Sequence, residues 1–172
     1  PSEDRKMGAI PDYVIEVFRD GDALPEEAEA LFAVQLAHSR SVSQSAAGAP
    51  DEWSLALVCA VGGNQHVLGG VYLDIGPIGG KGPLAARRLA YLERTLVRPE
   101  YRCGGVATET LRHAIRIAGE SGCEYIRCSN NWDNAAETAL FRRCGFALVD
   151  LDGESDEEPC YLAVRPLQNL QI

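Results

Sequence analysis

Long apolar runs are missing from this chain of 172 residues, although hydrophobic residues make up 46 % of it. No stretch approaches the roughly 20 apolar residues that a membrane-spanning helix needs. The opening PSEDRKMGAIPD lacks the apolar core of a secretory leader, so none is expected. Positive charge is scarce as well: 16 Lys and Arg against 25 Asp and Glu leave a net charge of −9. Phosphate binding takes clustered cations, so neither nucleic acid nor a membrane is expected as a partner. Among the six cysteines (Cys59, Cys103, Cys123, Cys128, Cys144, Cys160) there is no CxxC pair. The three histidines (His38, His66, His113) stand at no ligand-like spacing from them, so no metal site is expected. The cysteines fall singly within apolar segments, which reads as reduced, partly buried thiols in a cytoplasmic protein. Repeats and coiled-coil heptads are absent too.

The length suits one domain, expected over 13–172 behind a polar tail over 1–12. YVIEVFRD alternates like a strand, and PEEAEALFAVQLAHS opens with Pro25 and three glutamates like an amphipathic helix. Ser39 to Glu52 reads as a loop. WSLALVCAVGG and HVLGGVYLDIG form a hairpin around Gly62, Gly63 and Asn64. Gly76 to Arg88 is a glycine- and proline-rich excursion, and Leu89 to Val97 returns to strand until Pro99. A helix is expected over about Gly104 to Ala118, with Ala107, Leu111, Ala114, Ile115 and Ala118 on one face and Gly119 and Gly122 at its end. CEYIRCS is a strand, and AAETALFRRCG is a helix with Ala136, Leu140 and Cys144 aligned. FALVDLD and CYLAVRPL close the chain as strands around the acidic loop GESDEEP. The order predicts an α/β fold: a mixed, mainly antiparallel sheet of six to seven strands with helices on both faces.

Between strand and helix lies Arg102-Cys103-Gly104-Gly105-Val106-Ala107. A helix start carries unpaired N–H groups and partial positive charge, so a bare backbone there suits an anion; a tight turn is the plainer reading. Gly-x4-Gly-Lys-Ser/Thr and Gly-x-Gly-x2-Gly are both absent, which removes the P-loop and the dinucleotide fingerprint.

Arg102-x-x-Gly105-x-Ala107 resembles the acetyl-CoA-binding motif of the GNAT superfamily of N-acetyltransferases, Arg/Gln-x-x-Gly-x-Gly/Ala. Asn134 followed by Leu140, Phe141, Gly145 and Phe146 matches that family's Asn-x5-Leu-Tyr-x3-Gly-Phe helix. The resemblance covers about Leu89 to Phe146. It implies an acyl-CoA N-acyltransferase fold and transfer of acetyl from acetyl-CoA to a primary amine, of a small molecule or a peptide. Backbone N–H groups of Arg102, Cys103, Gly104, Gly105, Val106 and Ala107 would cradle the CoA pyrophosphate. Leu96 and Val97 would pair with the pantetheine amides, in a wedge opened by the splaying of CEYIRCS. Asn134 would touch the pantetheine arm or serve as a plain helix N-cap.

A protonated amine must lose a proton before it attacks a thioester. Glu93, polar in mid-strand, is the candidate base; otherwise it faces solvent or pairs with an arginine. Tyr91, on the same face by strand alternation, is a second candidate. The family often supplies a tyrosine to protonate the leaving thiolate, and Phe141 stands there instead, as an apolar wall of the groove. Cys144, Tyr161 or water are the substitutes. The departure also keeps open a non-catalytic acyl-CoA-binding or sensing module on the same fold. The acidic run Asp150 to Glu158 reads as a solvated loop, His113 as a surface or packing residue, and Trp132 as a groove or loop anchor. The acceptor segments would be Ser39 to Glu52 and Gly76 to Arg88. A homodimer stays open.

Overall fold

The structure is a computed structural model and describes residues 9–37, 53–131, 134–150 and 160–167. The segment Ser39 to Glu52, Trp132 and the acidic loop over 151–159 lie outside the described residues. The alternating run near the start forms β1 (Tyr13–Arg19). The two runs around Gly62 form β2 (Ser54–Gly62) and β3 (Val67–Pro77). They are joined by one tight turn in which Asn64 takes φ 57°, a backbone state that asparagine tolerates better than most residues. The strands β4 (Arg88–Val97), β5 (Cys123–Asn131), β6 (Ala147–Asp150) and β7 (Cys160–Pro166) complete a seven-stranded sheet. Its order is β1-β2-β3-β4-β5-β7-β6. Every neighbouring pair is antiparallel except β4 and β5, which run parallel.

Helices cover both faces because the sheet strands are apolar on both sides. On one face, α1 (Glu26–Leu31) starts after Pro25 with Glu26, Glu27 and Glu29 in its first turn, where the helix end favours negative charge. Ala28, Phe32 and Leu36, four apart, are buried against Leu57, Cys59 and Tyr72. On the other face, α2 (Val106–Glu120) buries Leu111, Ala114, Ile117 and Ala118 against Val58, Val71, Leu73, Ala90 and Leu92. A buried leucine of this kind contributes roughly 1.5–3 kcal/mol.

The boundaries of α2 differ slightly from expectation. It begins at Val106 because Gly105 sits at φ 88°, outside helical space. It runs through Gly119, and the chain turns away only at Gly122, with φ 76°. In α3 (Ala135–Arg143), Leu140 and Phe141 join the α2-side core with Cys144 and Phe146, whereas Ala136 is exposed. Cys59, Cys123, Cys128 and Cys144 are buried free thiols; Cys103 departs from the expected pattern and is exposed. Among the described residues no helix is long and apolar enough to cross a membrane.

Candidate functional site

A single irregularity in β4 shapes the site. Tyr72 of β3 stands opposite Arg94, but the next residue, Leu73, stands opposite Leu92, so Glu93 is an extra residue in the ladder. Such a bulge flips the alternation and sharpens the local twist. Leu92 accordingly packs on the α2 side, while Leu96, four residues on, packs on the α1 side. The parallel pairing of β4 with β5 ends at Tyr91 and Arg127, just before the bulge. β5 continues instead against β7, from Tyr125 opposite Pro166 to Asn131 opposite Cys160. The two strands therefore part, and a cleft of about 730 Å³ opens between them.

The β4 wall of the cleft presents unused backbone. The Arg98 N–H donates to the Leu68 carbonyl of β3 at 2.9 Å, and the Val97 carbonyl accepts from Arg102 Nε at 3.2 Å on the opposite side. Alternation then turns Val97 and Thr95 toward the cleft and Leu96 toward β3. Of the pair Leu96 and Val97, only Val97 offers its main chain to an occupant. Thr95 Oγ1 is buried and, among the described residues, has no hydrogen-bond partner. Sequence reading passed over Thr95, although a polar residue in mid-strand was the signal that singled out Glu93. Glu93 itself is half-buried and lines the cleft.

The glycine loop closes the other end. Cys103 and Gly105 both take left-handed backbone, φ 64° and φ 88°, which turns successive N–H groups inward and sets them at the head of α2. The helix starts without a side-chain cap, and its first intrahelical acceptor, the Gly105 carbonyl, is met by Glu109 N–H at 3.0 Å. The N–H groups of Val106, Ala107 and Thr108 thus have no acceptor within the helix. Arg102, Cys103, Gly105, Val106 and Ala107 all line the cleft. Gly104 does not: a Cβ there would collide with the side chain of Ile10. Its bare backbone admits the N-terminal segment, while Gly105 has open space and needs glycine for its φ.

Two other candidates lie away from the cleft. Tyr91 pairs with Asp74 ahead of the bulge, on the face of Tyr72 and α1. Its ring lies 5.6 Å from the Arg127 guanidinium, and its hydroxyl is 3.5 Å from Ser129 Oγ. Phe141 is fully buried, its ring centre 5.1 Å from that of Phe146, and it does not line the cleft. Tyr161 is buried with its hydroxyl 2.7 Å from Thr138 Oγ1, and Cys144 is buried with burial pushing its thiol up. Asn134 lines the cleft and is also the N-cap of α3, accepting from Glu137 N–H at 3.1 Å. The β5 wall carries Cys128 and Ser129, which sequence reading missed; burial pushes the Cys128 thiol up to about 12.

A polar network braces the turn ahead of the glycine loop. Glu27 of α1 accepts from Val67 N–H at 2.9 Å and pairs with His66 Nδ1 at 2.9 Å and with Arg98 at 3.0 Å. His66 Nε2 lies 2.9 Å from the Tyr101 hydroxyl, and Tyr101 lines the cleft. The Val67 hydrogen bond, followed by that of His66, holds the Glu27 carboxyl below its ordinary value. Among the described residues no group of three or more His, Cys, Asp or Glu side chains is placed to hold a metal ion.

A wedge with free strand edge on one wall and a helix N-terminus at its mouth suits an extended, amide-bearing ligand with a diphosphate. Known proteins share the fold and the family. A model described as the acetyltransferase (GNAT) family matches residues 23–146. No curated protein matches the sequence. Arabidopsis thaliana NAA60 in complex with a bisubstrate analogue superposes with a TM-score of 0.60 at 15% identity, over 89% of this chain and 98% of that one. The NatC complex bound to Gag peptide and CoA gives a TM-score of 0.61 at 18% identity, over 89% and 99%. A Bacillus subtilis acetyltransferase in complex with CoA gives 0.59 at 13% identity, over 91% and 100%. At these identities the structures speak to the fold.

Proposed function

The chain belongs to the GNAT acetyltransferase family, and from that premise we propose that it transfers an acetyl group from acetyl-CoA to a primary amine. The observation that carries the proposal is the cleft itself, with Glu93 bulged into it at the point where β4 and β5 part. In this reading the N–H groups of Cys103 and of Gly105 to Thr108 hold the pyrophosphate, aided by the partial positive charge of the helix start; the Arg102 N–H is taken by the Pro99 carbonyl at 3.4 Å and Gly104 lies outside the cleft. Val97 and Thr95 hydrogen-bond the pantetheine amides as a neighbouring strand would. The thioester then lies near Leu92 and Glu93.

The thioester supplies the acetyl group. Glu93 takes a proton from the acceptor ammonium, directly or through water, so that the nitrogen lone pair can form the new C–N bond as the C–S bond breaks. Ser129 and Cys128 on the opposite wall can donate hydrogen bonds to the leaving thiolate, which takes up the second proton that the nitrogen loses. Four buried free thiols favour a reducing compartment such as the cytoplasm. The NatC neighbour carries a peptide with CoA, so peptide α-amines head the panel of acceptors. A second reading, a CoA-binding module without turnover, is favoured by one observation: the motif's tyrosine position is Phe141, buried away from the cleft.

Glu93→Gln separates the two roles of the site. Turnover on an amine should fall by ~10²-fold or more, and the acid limb of the pH–rate profile should change shape. Acetyl-CoA affinity measured by calorimetry should stay within about twofold, because the carboxylate acts on the acceptor. Unchanged turnover at every pH would remove Glu93 as the base.

A further inference from the structure

A second cavity, of about 400 Å³, lies between α2, α3 and the end of β7 and shares Arg143 with the cleft. Four of its lining residues are arginines: Arg112 on α2, Arg142 and Arg143 on α3, and Arg165 on β7. Arg112, Arg142 and Arg143 are exposed. Among the described residues the ion pairs involve Arg87, Arg98, Arg116 and His66, and none of these four. Arg143 reaches Thr108 Oγ1 at 3.4 Å. Arg165 donates one N–H to the Cys144 carbonyl, while its Nε is buried without a hydrogen-bond partner among the described residues. Four guanidinium groups that face one groove repel one another. On a chain of net charge −9 this is a concentrated cationic site.

The groove lies next to the glycine loop. Thr108 lies in the first turn of α2, and Arg112 is one turn further on the same face, about 6 Å along the axis. Arg143, shared by the two cavities and 3.4 Å from Thr108 Oγ1, links the groove to the helix start, so a ligand with its diphosphate on those N–H groups and a third phosphate one ribose ring away would direct that phosphate toward the arginines. We propose that the groove of Arg112, Arg142, Arg143 and Arg165 receives the 3′-phosphate of the CoA nucleotide. The protein thereby selects CoA thioesters over their 3′-dephospho counterparts. This inference rests on the acetyl-CoA reading of the cleft and adds a second, separate anion contact to it.

The test is a calorimetric comparison of CoA with 3′-dephospho-CoA. It uses the wild type, the exposed double variant Arg112→Gln/Arg142→Gln, and Arg116→Gln, which lies outside the groove in an ion pair with Glu120. The wild type should bind CoA ~10-fold or more tightly than 3′-dephospho-CoA, a gap expected of charge-assisted contacts. The double variant should lose most of that ratio by weaker CoA binding, with 3′-dephospho-CoA affinity nearly unchanged. Arg116→Gln should keep the wild-type ratio, and added salt should shrink it. A wild-type ratio near one, or an unchanged ratio in the double variant, overturns the inference while leaving CoA binding in place. If the wild type binds neither nucleotide, the acetyl-CoA reading fails first and this inference with it.

Discussion

At the scale of single residues, two adjacent glycines serve different ends. Gly105 holds φ 88° at the head of α2 with open space around it, whereas Gly104 makes room for Ile10. Gly105→Val forces a branched side chain into left-handed backbone, which costs about 1–2 kcal/mol, and tilts the N–H groups that follow. CoA affinity should fall by ~10-fold or more, with a modest drop in thermal midpoint. Gly104→Ala displaces Ile10 instead, so it should lower the midpoint and weaken CoA less; calorimetry and melting of both variants check the division. Equal losses of CoA affinity would place both glycines at the phosphate. The motif was legible in sequence, but only the backbone angles and the neighbour of each glycine tell the two apart.

At the scale of elements, the bulge in β4 and the rotation of α3 decide which side chains meet in the cleft. Strand alternation puts Tyr91 with Glu93, yet alternation counts residues and takes no account of the extra one; the ladder places Tyr91 on the α1 face. No pattern in LAYLERTLV announces a bulge, because the propensities of its residues are the same with or without one. The register of α3 is similar. Its motif was readable and its start at Asn134 was too, but Phe141 turns into the core beside Phe146 rather than into the cleft. Phe141→Tyr therefore buries a hydroxyl instead of delivering it to the leaving sulfur. The variant should lose about 1–3 kcal/mol of stability, read by chemical denaturation, and gain no turnover. A rise in turnover would show that the ring reaches the thioester.

At the scale of the whole molecule, the succession of strands and helices along the chain, the two helical layers and the glycine loop follow from local periodicity and turn residues, whereas the placing of β7 between β5 and β6 does not. The arginine groove and the Glu27 network do not, because their members are brought together from distant parts of the chain. Glu27 ties α1 to the β2–β3 turn and to the turn preceding the glycine loop. Its carboxyl lies below its ordinary value when folded, so its contribution to stability is complete above the unfolded carboxylate value and fades as pH falls through the lower folded one. In denaturation series across acid pH, Glu27→Gln should be less stable than the wild type near neutrality, and the two curves should converge at low pH. A constant gap would assign the effect to packing. The central claim concerns the reaction carried by this assembly, and it is tested most directly by free CoA thiol released from acetyl-CoA with and without a panel of peptide and small primary amines. The account predicts amine-dependent release, equimolar with acetylated amine; a rate that no amine raises above the amine-free one would contradict it.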